Sequence, residues 1–451
     1  MAEAVDTDDN TDTAPDAAVV DLCSALVRID TTNRGGGDCE GEREAAELVA
    51  ASLASSGLAP VLLESAPRRA NVVARVPGTD PSLPALLVHA HLDVVPAQAA
   101  DWTVPPFSGE VDADGYLWGR GAVDMKDMCA AVLSTLRSWS LRGLAPRRDI
   151  VVAFVADEEA DGDYGAHWLA ERHPELLDGC VAAIGESGGF TFGSPGTPRL
   201  YPIGTAERGT LHLRLTATGR AGHASRPNSA NPVIALVDTL SRIAGHRWPV
   251  HLTPAVEAYL TGAAAALGVD ADLADPSTVD NLVAKLGRAG TLAAATIRIS
   301  STPTVLSAGS KVNVIPSTAT AEVDIRTLPG TVDDVLSTVD SLLGPGVRYE
   351  FIARRDAVAA PPDSPWYDAM TAALRTEDPD AVVLPYCLGG GTDAKAFAAM
   401  GIDCYGFAPL RLPLDPAEYD YRAMAHGVDE RVPVDGLRFG ARVLDRFLRT
   451  V

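Results

Sequence analysis

Four short apolar runs constrain this chain more than any other feature: Val72–Val76, Ala85–Val88, Ile150–Ala156 and Val181–Ile184. None shows the regular polar alternation of a strand with one wet face. Such runs predict strands buried on both sides. Between them lie helical stretches such as Met128–Trp139 and Ala166–Arg172. Strands alternating with helices predict an α/β sheet. With 47% hydrophobic and 22% charged residues, the composition is that of a globular protein and excludes a fibrous or wholly disordered chain.

The pattern changes after Gly204. Leu211, Leu213 and Leu215 alternate with Thr210, His212, Arg214 and Thr216, and Ala321, Val323 and Ile325 alternate with Glu322, Asp324 and Arg326. Alternation predicts a half-exposed, antiparallel sheet. Helical segments near Pro232–Ile243 and Val332–Leu343 complete the order β-α-β-β-α-β, which fits a ferredoxin-like insert over 209–357. Residues 250–290 read as extra helical material within it. After about 358 the buried-strand pattern returns and ends in a helix, Val434–Arg449. The expected organisation is a discontinuous domain, 18–208 with 358–451, and an inserted α+β domain at 209–357. Residues 1–17, rich in Asp, Thr and Ala, read as a disordered acidic tail.

Sixty acidic residues against 37 basic ones give a net charge of −23. A surface of that sign repels nucleic acid and anionic lipid, so neither is an expected partner. No apolar run approaches the ~18 residues of a membrane span. The N-terminus lacks a basic segment followed by an apolar core, so no secretory signal is expected. The six cysteines are widely spaced with no C-x-x-C pair, which predicts reduced, mostly buried thiols in a cytoplasmic protein.

The chemistry sits where the buried runs stop. ALLVHAHLDVVP, residues 85–96, places His89, His91 and Asp93 on one strand face. That reads as a metal-ligand arrangement or as a hydrogen-bonded core histidine pair. GRGAVDMKDM offers Asp124 before a helix, as a ligand or as an N-cap. IVVAFVADEEADGDYG ends a strand in Asp157, Glu158 and Glu159. Three adjacent acids at a sheet mouth repel one another unless neutralised, or else form an acidic surface loop. VAAIGESGGF ends another strand at Glu186, a ligand or a turn acid, and RAMAHGVDERV carries His426, a ligand or a structural histidine. Together His91, Asp124, Glu159, Glu186 and His426 supply two imidazoles and three carboxylates. That mixture suits zinc, with cobalt or manganese as substitutes. A bridging carboxylate would hold two ions, and Glu158 is spare to take a proton.

These motifs, in this order from IDTTNRGGG to AHGVDERV, resemble the di-zinc exopeptidase and amidohydrolase family of glutamate carboxypeptidase, aminoacylase, acetylornithine deacetylase, succinyl-diaminopimelate desuccinylase and carnosinase. The resemblance implies a zinc-exopeptidase-like three-layer catalytic domain with an inserted lid and dimerisation domain, working as a homodimer. It implies one zinc on His91, Asp124 and Glu186 and a second on Asp124, Glu159 and His426. Asp93 would orient His91, and Glu158 would be the general base. GRAGHASRP implies His223 as an oxyanion donor. KVNVIPSTATAEVDIRTLPG implies Asn313 and Arg326 as anchors for a substrate carboxylate. GGGTDAKAF implies a substrate loop at Gly390, Gly391 and Thr392. For Arg326 the residues alone also allow a salt bridge with Glu322 or Asp324. The implied reaction is hydrolysis of an amide or peptide bond next to a free carboxylate. The substrate is a small peptide or, alternatively, an N-acyl amino acid; a non-catalytic relative is the remaining alternative. Two departures flank the bridging position, since the family often has Gly where Asp127 stands and an acid where Met125 stands.

Overall fold

The computed structural model describes residues 11–451. The chain forms two compact units, one running to Thr205 and resuming over Ala360–Pro385 and Thr392–Val451, the other comprising Ala206–Ala359 with Tyr386–Gly391. The short second piece, expected with the first unit, belongs with the second because the Arg208 N–H donates to the Leu388 carbonyl at 3.1 Å.

In the first unit, α1 (Val19–Val27) and α2 (Arg43–Ser55) precede β1 (Val61–Ala66), β2 (Arg69–Val76) and β3 (Ala85–His91). A short β4 (Tyr116–Trp118), α3 (Lys126–Arg142), β5 (Ile150–Val155), α4 (Ala166–Arg172), β6 (Cys180–Gly185) and β7 (Leu200–Glu207) follow. The central sheet has the order β1-β2-β5-β3-β6, then Asp403–Gly406, then β7. Strands β5, β3, β6 and Asp403–Gly406 are parallel, whereas β1 and β2 run antiparallel to their neighbours, so the sheet is mixed. Every residue of β3 and β5 is buried, as their unbroken apolar sequences require.

Helices cover both faces. On one, α4 and the helix Ala394–Ala398 pack with Val73, Leu87, Val151, Val155 and Ala183 in a common core. On the other, α3 lies between α1 and the C-terminal helix Val434–Thr450. Residues 1–10 of the expected acidic tail lie outside the described part. The rest of that tail is ordered, contrary to its composition. Thr11–Thr13 forms a 3-10 turn, Ser134 and Ser138 donate to the Pro15 and Thr13 carbonyls at 2.7 Å, and Arg442 pairs with Asp16 at 2.6 Å. Hydrogen bonds to α3 and a charge from the C-terminal helix offset the chain entropy that composition alone leaves uncompensated.

The second unit carries a four-stranded antiparallel sheet with the order Ser300–Ala308, Thr318–Thr327, β8 (Gly209–Thr218), Val347–Arg355. Numbered along the chain, that is 2-3-1-4, the ferredoxin-like arrangement. Leu211, Leu213 and Leu215 point into a core with Ala321, Val323 and Ile325 under α5 (Pro232–Gly245) and the helix Val332–Leu342. Fully burying each such aliphatic side chain contributes ~1.5–3 kcal/mol. The opposite face is wet and carries ion pairs such as Arg214 with Glu322 at 3.0 Å. Residues 250–290 hold Pro254–Leu267 and Val279–Lys285, with Gly290–Ala294 beginning at their end. Among the described residues, no helix is long and apolar enough to cross a membrane.

Candidate metal centre

Parallel strands bring the first unit's functional side chains to one edge. β3 ends in His91, and β5 runs into a 3-10 turn carrying Glu158 and Glu159. β6 runs into Glu186, Asp124 lies just ahead of α3, and His426 follows the short helix Tyr421–Met424. In open α/β sheets this carboxyl edge is where ligands gather.

The five expected ligands interlock. His91 Nε2 lies 3.1 Å from Asp124 Oδ1, and His426 Nε2 lies 3.2 Å from Asp124 Oδ2 and 3.0 Å from Glu159 Oε2. Asp124 therefore stands between the two imidazoles, one oxygen toward each. Donor atoms of His91, Asp124 and Glu159 lie within 4.8 Å of one another, as do those of His91, Glu158 and Glu186. All except His426 are largely shielded from water.

Burial, then the charge of Glu186, pushes the Glu158 carboxyl well above its usual range. Burial, then the charge of Asp124, does the same to Glu186. Burial opposes charge on His91, but the hydrogen bond to Asp124 and the nearby glutamates outweigh it and push the imidazole up. Hydrogen bonds to Asp124 and Glu159 push His426 up to about 10. Clustered acids of this kind call for cations. The Glu159 Oε1 atom is buried with no hydrogen-bond partner among the described residues. An orphaned carboxylate oxygen inside a mixed imidazole–carboxylate cluster fits a pair of divalent ions.

Surrounding side chains fix the donors. The Asp93 carboxylate accepts the backbone N–H of Glu158 at 3.1 Å, that of Glu159 at 3.2 Å, and the Asn33 amide at 2.8 Å. Its contact with His91 is made by its backbone carbonyl, 3.0 Å from Nδ1, whereas the carboxylate is 3.6 Å away. Asp93 thus positions the turn bearing Glu158 more directly than it orients the imidazole. Asp157, the first acid of the triplet, turns away from the cluster. It adopts a left-handed φ of 71° and pairs with Arg69 at 2.8 Å and Asn33 at 3.0 Å. His89 is a core residue: burial drops its pKa to about 3, and its ring packs 4.9 Å from Phe397. Gly185 makes room for it, since a Cβ there would come within 2.3 Å of that ring.

Arg120 and Glu430 join two ligand-bearing segments. Their buried pair is 2.6 Å long. Glu430 also accepts the Val123 N–H at 2.8 Å, next to Asp124. Arg120 donates to the Gly427 carbonyl at 2.9 Å and the His426 carbonyl at 3.3 Å. His426 has a left-handed φ of 62°, a costly conformation for a non-glycine residue that these bonds restrain. Asp393 adds its charge to Glu158 and Glu186. Asn33, Arg120, Asp393 and Glu430 all lie inside the motifs IDTTNRGGG, GRGAVDMKD, GGGTDAKAF and AHGVDERV, yet only the spatial partners reveal their work.

The remaining expected residues lie in or beside the second unit. His223 is exposed on a two-stranded ribbon opposite Val314, with Nδ1 2.8 Å from the Ser225 hydroxyl. The Asn313 carbonyl accepts the Ala224 N–H at 3.1 Å, so Asn313 and His223 are ribbon neighbours. Arg326 forks onto Asp324 at 2.8 and 2.9 Å and donates to Thr210 at 2.9 Å. This is the salt-bridge arrangement, one of the two readings its sequence allows. Gly390, Gly391 and Thr392 form the loop between the strand Val382–Leu388 and the helix Ala394–Ala398.

The family model for Peptidase family M20/M25/M40 matches residues 87–450. The human N-fatty-acyl-amino acid synthase/hydrolase PM20D1 is 29% identical over 378 residues, covering 80% of this chain and 72% of the relative. Pig (Sus scrofa) aminoacylase-1 is 27% identical over 361 residues, covering 78% of each. Among solved structures, the M20 family metallo-carboxypeptidase Sso-CP2 from Sulfolobus solfataricus superposes with a TM-score of 0.70 at 18% identity, over 96% of this chain and 98% of that one. Human carnosine dipeptidase 1 gives 0.64 at 17% identity, over 96% and 95%. The match spans all five expected ligands, from His91 to His426, and the chain belongs to peptidase family M20/M25/M40.

Proposed function

We propose that this enzyme hydrolyses an amide or peptide bond next to a free carboxylate, using two zinc ions. The observation that carries this reading is the Asp124 carboxylate between His91 and His426, with Glu158 and Glu186 converging on the same imidazole. His91, Asp124 and Glu186 would hold one ion, and Asp124, Glu159 and His426 the other. A bound pair of divalent ions supplies Lewis-acid polarisation and lowers the pKa of water toward ~7. Cobalt and manganese are the expected substitutes, since they accept the same donors.

The chain's own groups move the proton. Glu158, buried and spare among the carboxylates, accepts the proton of the attacking water. It then returns that proton to the nitrogen as the carbon–nitrogen bond breaks. Asp93 keeps Glu158 in reach by binding its backbone N–H. In the second unit, a lid in this reading, His223 would donate to the oxyanion. Asn313 and Arg326 would hold the substrate carboxylate, Arg326 exchanging Asp324 for it. Gly390, Gly391 and Thr392 would line the substrate. The strand Ser300–Ala308 lies at a sheet edge with Val305 and Leu306 exposed, and Val312 and Val314 are exposed nearby in sequence. That apolar edge supports a homodimer. Six free thiols suit a reducing, cytoplasmic setting.

The names of PM20D1 and aminoacylase-1 favour a second reading, removal of the acyl group from an N-acyl amino acid. Chelation and reloading with zinc or cobalt, assayed on dipeptides and on acetylated amino acids, tests both. The expected result is loss with chelator, recovery with metal, and one substrate series turned over far faster than the other. Turnover indifferent to chelators overturns the proposal.

A further inference from the structure

A cavity of about 230 Å³ opens beside the metal centre, entirely within the first unit. Asp124 and Glu186, two of the ligand residues, form part of its wall. The rest is mainly apolar, from Val123, Met125, Ala408, Leu410 and Ala425. Tyr421 lines it with its ring stacked 4.5 Å from Phe190, which fixes that side. Arg422 also lines it, exposed and without an ion pair among the described residues.

Asp127, Ala408 and Leu410 also line a second, narrow apolar pocket of about 10 Å³ between α3 and the C-terminal helix, together with Met128, Leu437 and Leu444. Asp127 lines both spaces, is 3% exposed, and has a buried Oδ1 with no hydrogen-bond partner among the described residues. A largely apolar space walled by expected metal ligands, with an unsatisfied polar atom in its lining, is built to receive part of a ligand.

The lining selects which part. A carboxylate entering it would lose its hydration to apolar walls. An uncharged acyl group meets no such cost. At ~30 Å³ per water-sized unit, the larger space takes about seven or eight such units, and the narrow pocket adds less than one. Resting on the deacylase reading above, we infer that this cavity is the acyl subsite. It takes an uncharged, apolar acyl group of medium size, such as hexanoyl or phenylacetyl, and its volume falls short of a long fatty chain. Ala408 sets its length. Its N–H is fixed to the Gly188 carbonyl at 2.7 Å, and it lines both spaces.

The test uses the metal-loaded full chain and one amino acid carrying acetyl, hexanoyl, phenylacetyl, dodecanoyl or succinyl groups. The expected kcat/KM rises at least ten-fold from acetyl to hexanoyl and phenylacetyl and falls again for dodecanoyl. Ala408→Leu should remove the rise while leaving the acetyl substrate within about three-fold. Ala408→Val serves if the larger side chain disturbs folding. Calorimetry gives a readout apart from turnover: hexanoate should bind at least ten-fold more tightly than acetate to the natural chain, and not to the variant. Equal rates from acetyl to hexanoyl, or a variant that lowers all substrates alike, overturn the subsite. A ten-fold preference for succinyl over hexanoyl also overturns it, because Arg422 would then be reading an anion. Turnover of dipeptides with none of any acyl amino acid overturns the deacylase reading itself, and this inference with it.

Discussion

In the proposed reaction Glu158 and Asp93 would divide the work of one proton transfer between a group that touches the proton and a group that places it. Glu158 stands among donors but is supernumerary to the five ligands, so Glu158→Gln should leave two metals bound. kcat should fall ~10²–10⁴-fold, the usual contribution of a positioned base. Metal content measured on the purified variant beside its kcat checks this. Full turnover would remove Glu158 from the role. Asp93 accepts both N–H groups of the turn that carries Glu158 and Glu159, so its loss frees a base and a ligand together. Asp93→Ala is therefore expected to weaken metal binding ~10–100-fold, as for other groups that support a metal ligand from behind. Competition with a coloured chelator reads that change. Asp93→Asn, which keeps an oxygen acceptor, should recover part of it.

At the scale of elements, two buried charge clusters hold segments that local sequence does not. Arg120 and Glu430 fasten the loop before α3 to the segment after His426. Removing one partner leaves the other charge buried, so Glu430→Ala should cost ~3–5 kcal/mol in urea unfolding. Arg120→Met combined with Glu430→Leu should cost less than the single change, because no charge is then stranded. Asp378 ends the helix Pro365–Glu377 and binds Arg199 and the Tyr201 hydroxyl of β7. The hydrogen bond from Arg199 holds its carboxyl below the usual range. The native form therefore binds fewer protons than the unfolded chain just below an unfolded aspartate's ~3.9. The stability it contributes is present above that value and is lost as pH falls through the lower native one. Asp378→Asn should cost ~1–3 kcal/mol at pH 7. In urea melts taken down the pH scale, that difference should begin to close below an unfolded aspartate's ~3.9; a gap constant with pH would show that packing, not charge, was lost.

For the whole molecule, the candidate metal centre is where three strand ends and two loops meet, so bound ions would tie distant parts of the first unit together. Loaded to 100 times the dissociation constant, an ion binding only the native state adds ~2.7 kcal/mol. Thermal melts should accordingly shift upward with zinc and downward with chelator, and an unchanged midpoint would deny that these residues bind metal in the folded state. Much of this molecule was legible beforehand. Buried runs announced β3, β5 and β6, alternation announced β8 and its partners, and an ordered set of motifs announced the residues that cluster at the sheet edge. Other features stayed hidden. Thr11–Ala17 looks disordered because its anchors, Ser134, Ser138 and Arg442, lie more than a hundred residues away. The antiparallel course of β2 was not visible in a run that is apolar either way round. His89 and His91 share a motif and a strand face, yet one packs on Phe397 and the other meets Asp124. By itself the sequence determined which segments must be buried and which residue types stand at their ends, because solvent exclusion and side-chain period act over a few residues. Only the tertiary structure decided which acids turn inward, which basic groups neutralise Asp157 and Glu430, and what space lies beside the ligands, because Coulombic and packing energies depend on distances between residues far apart in the chain.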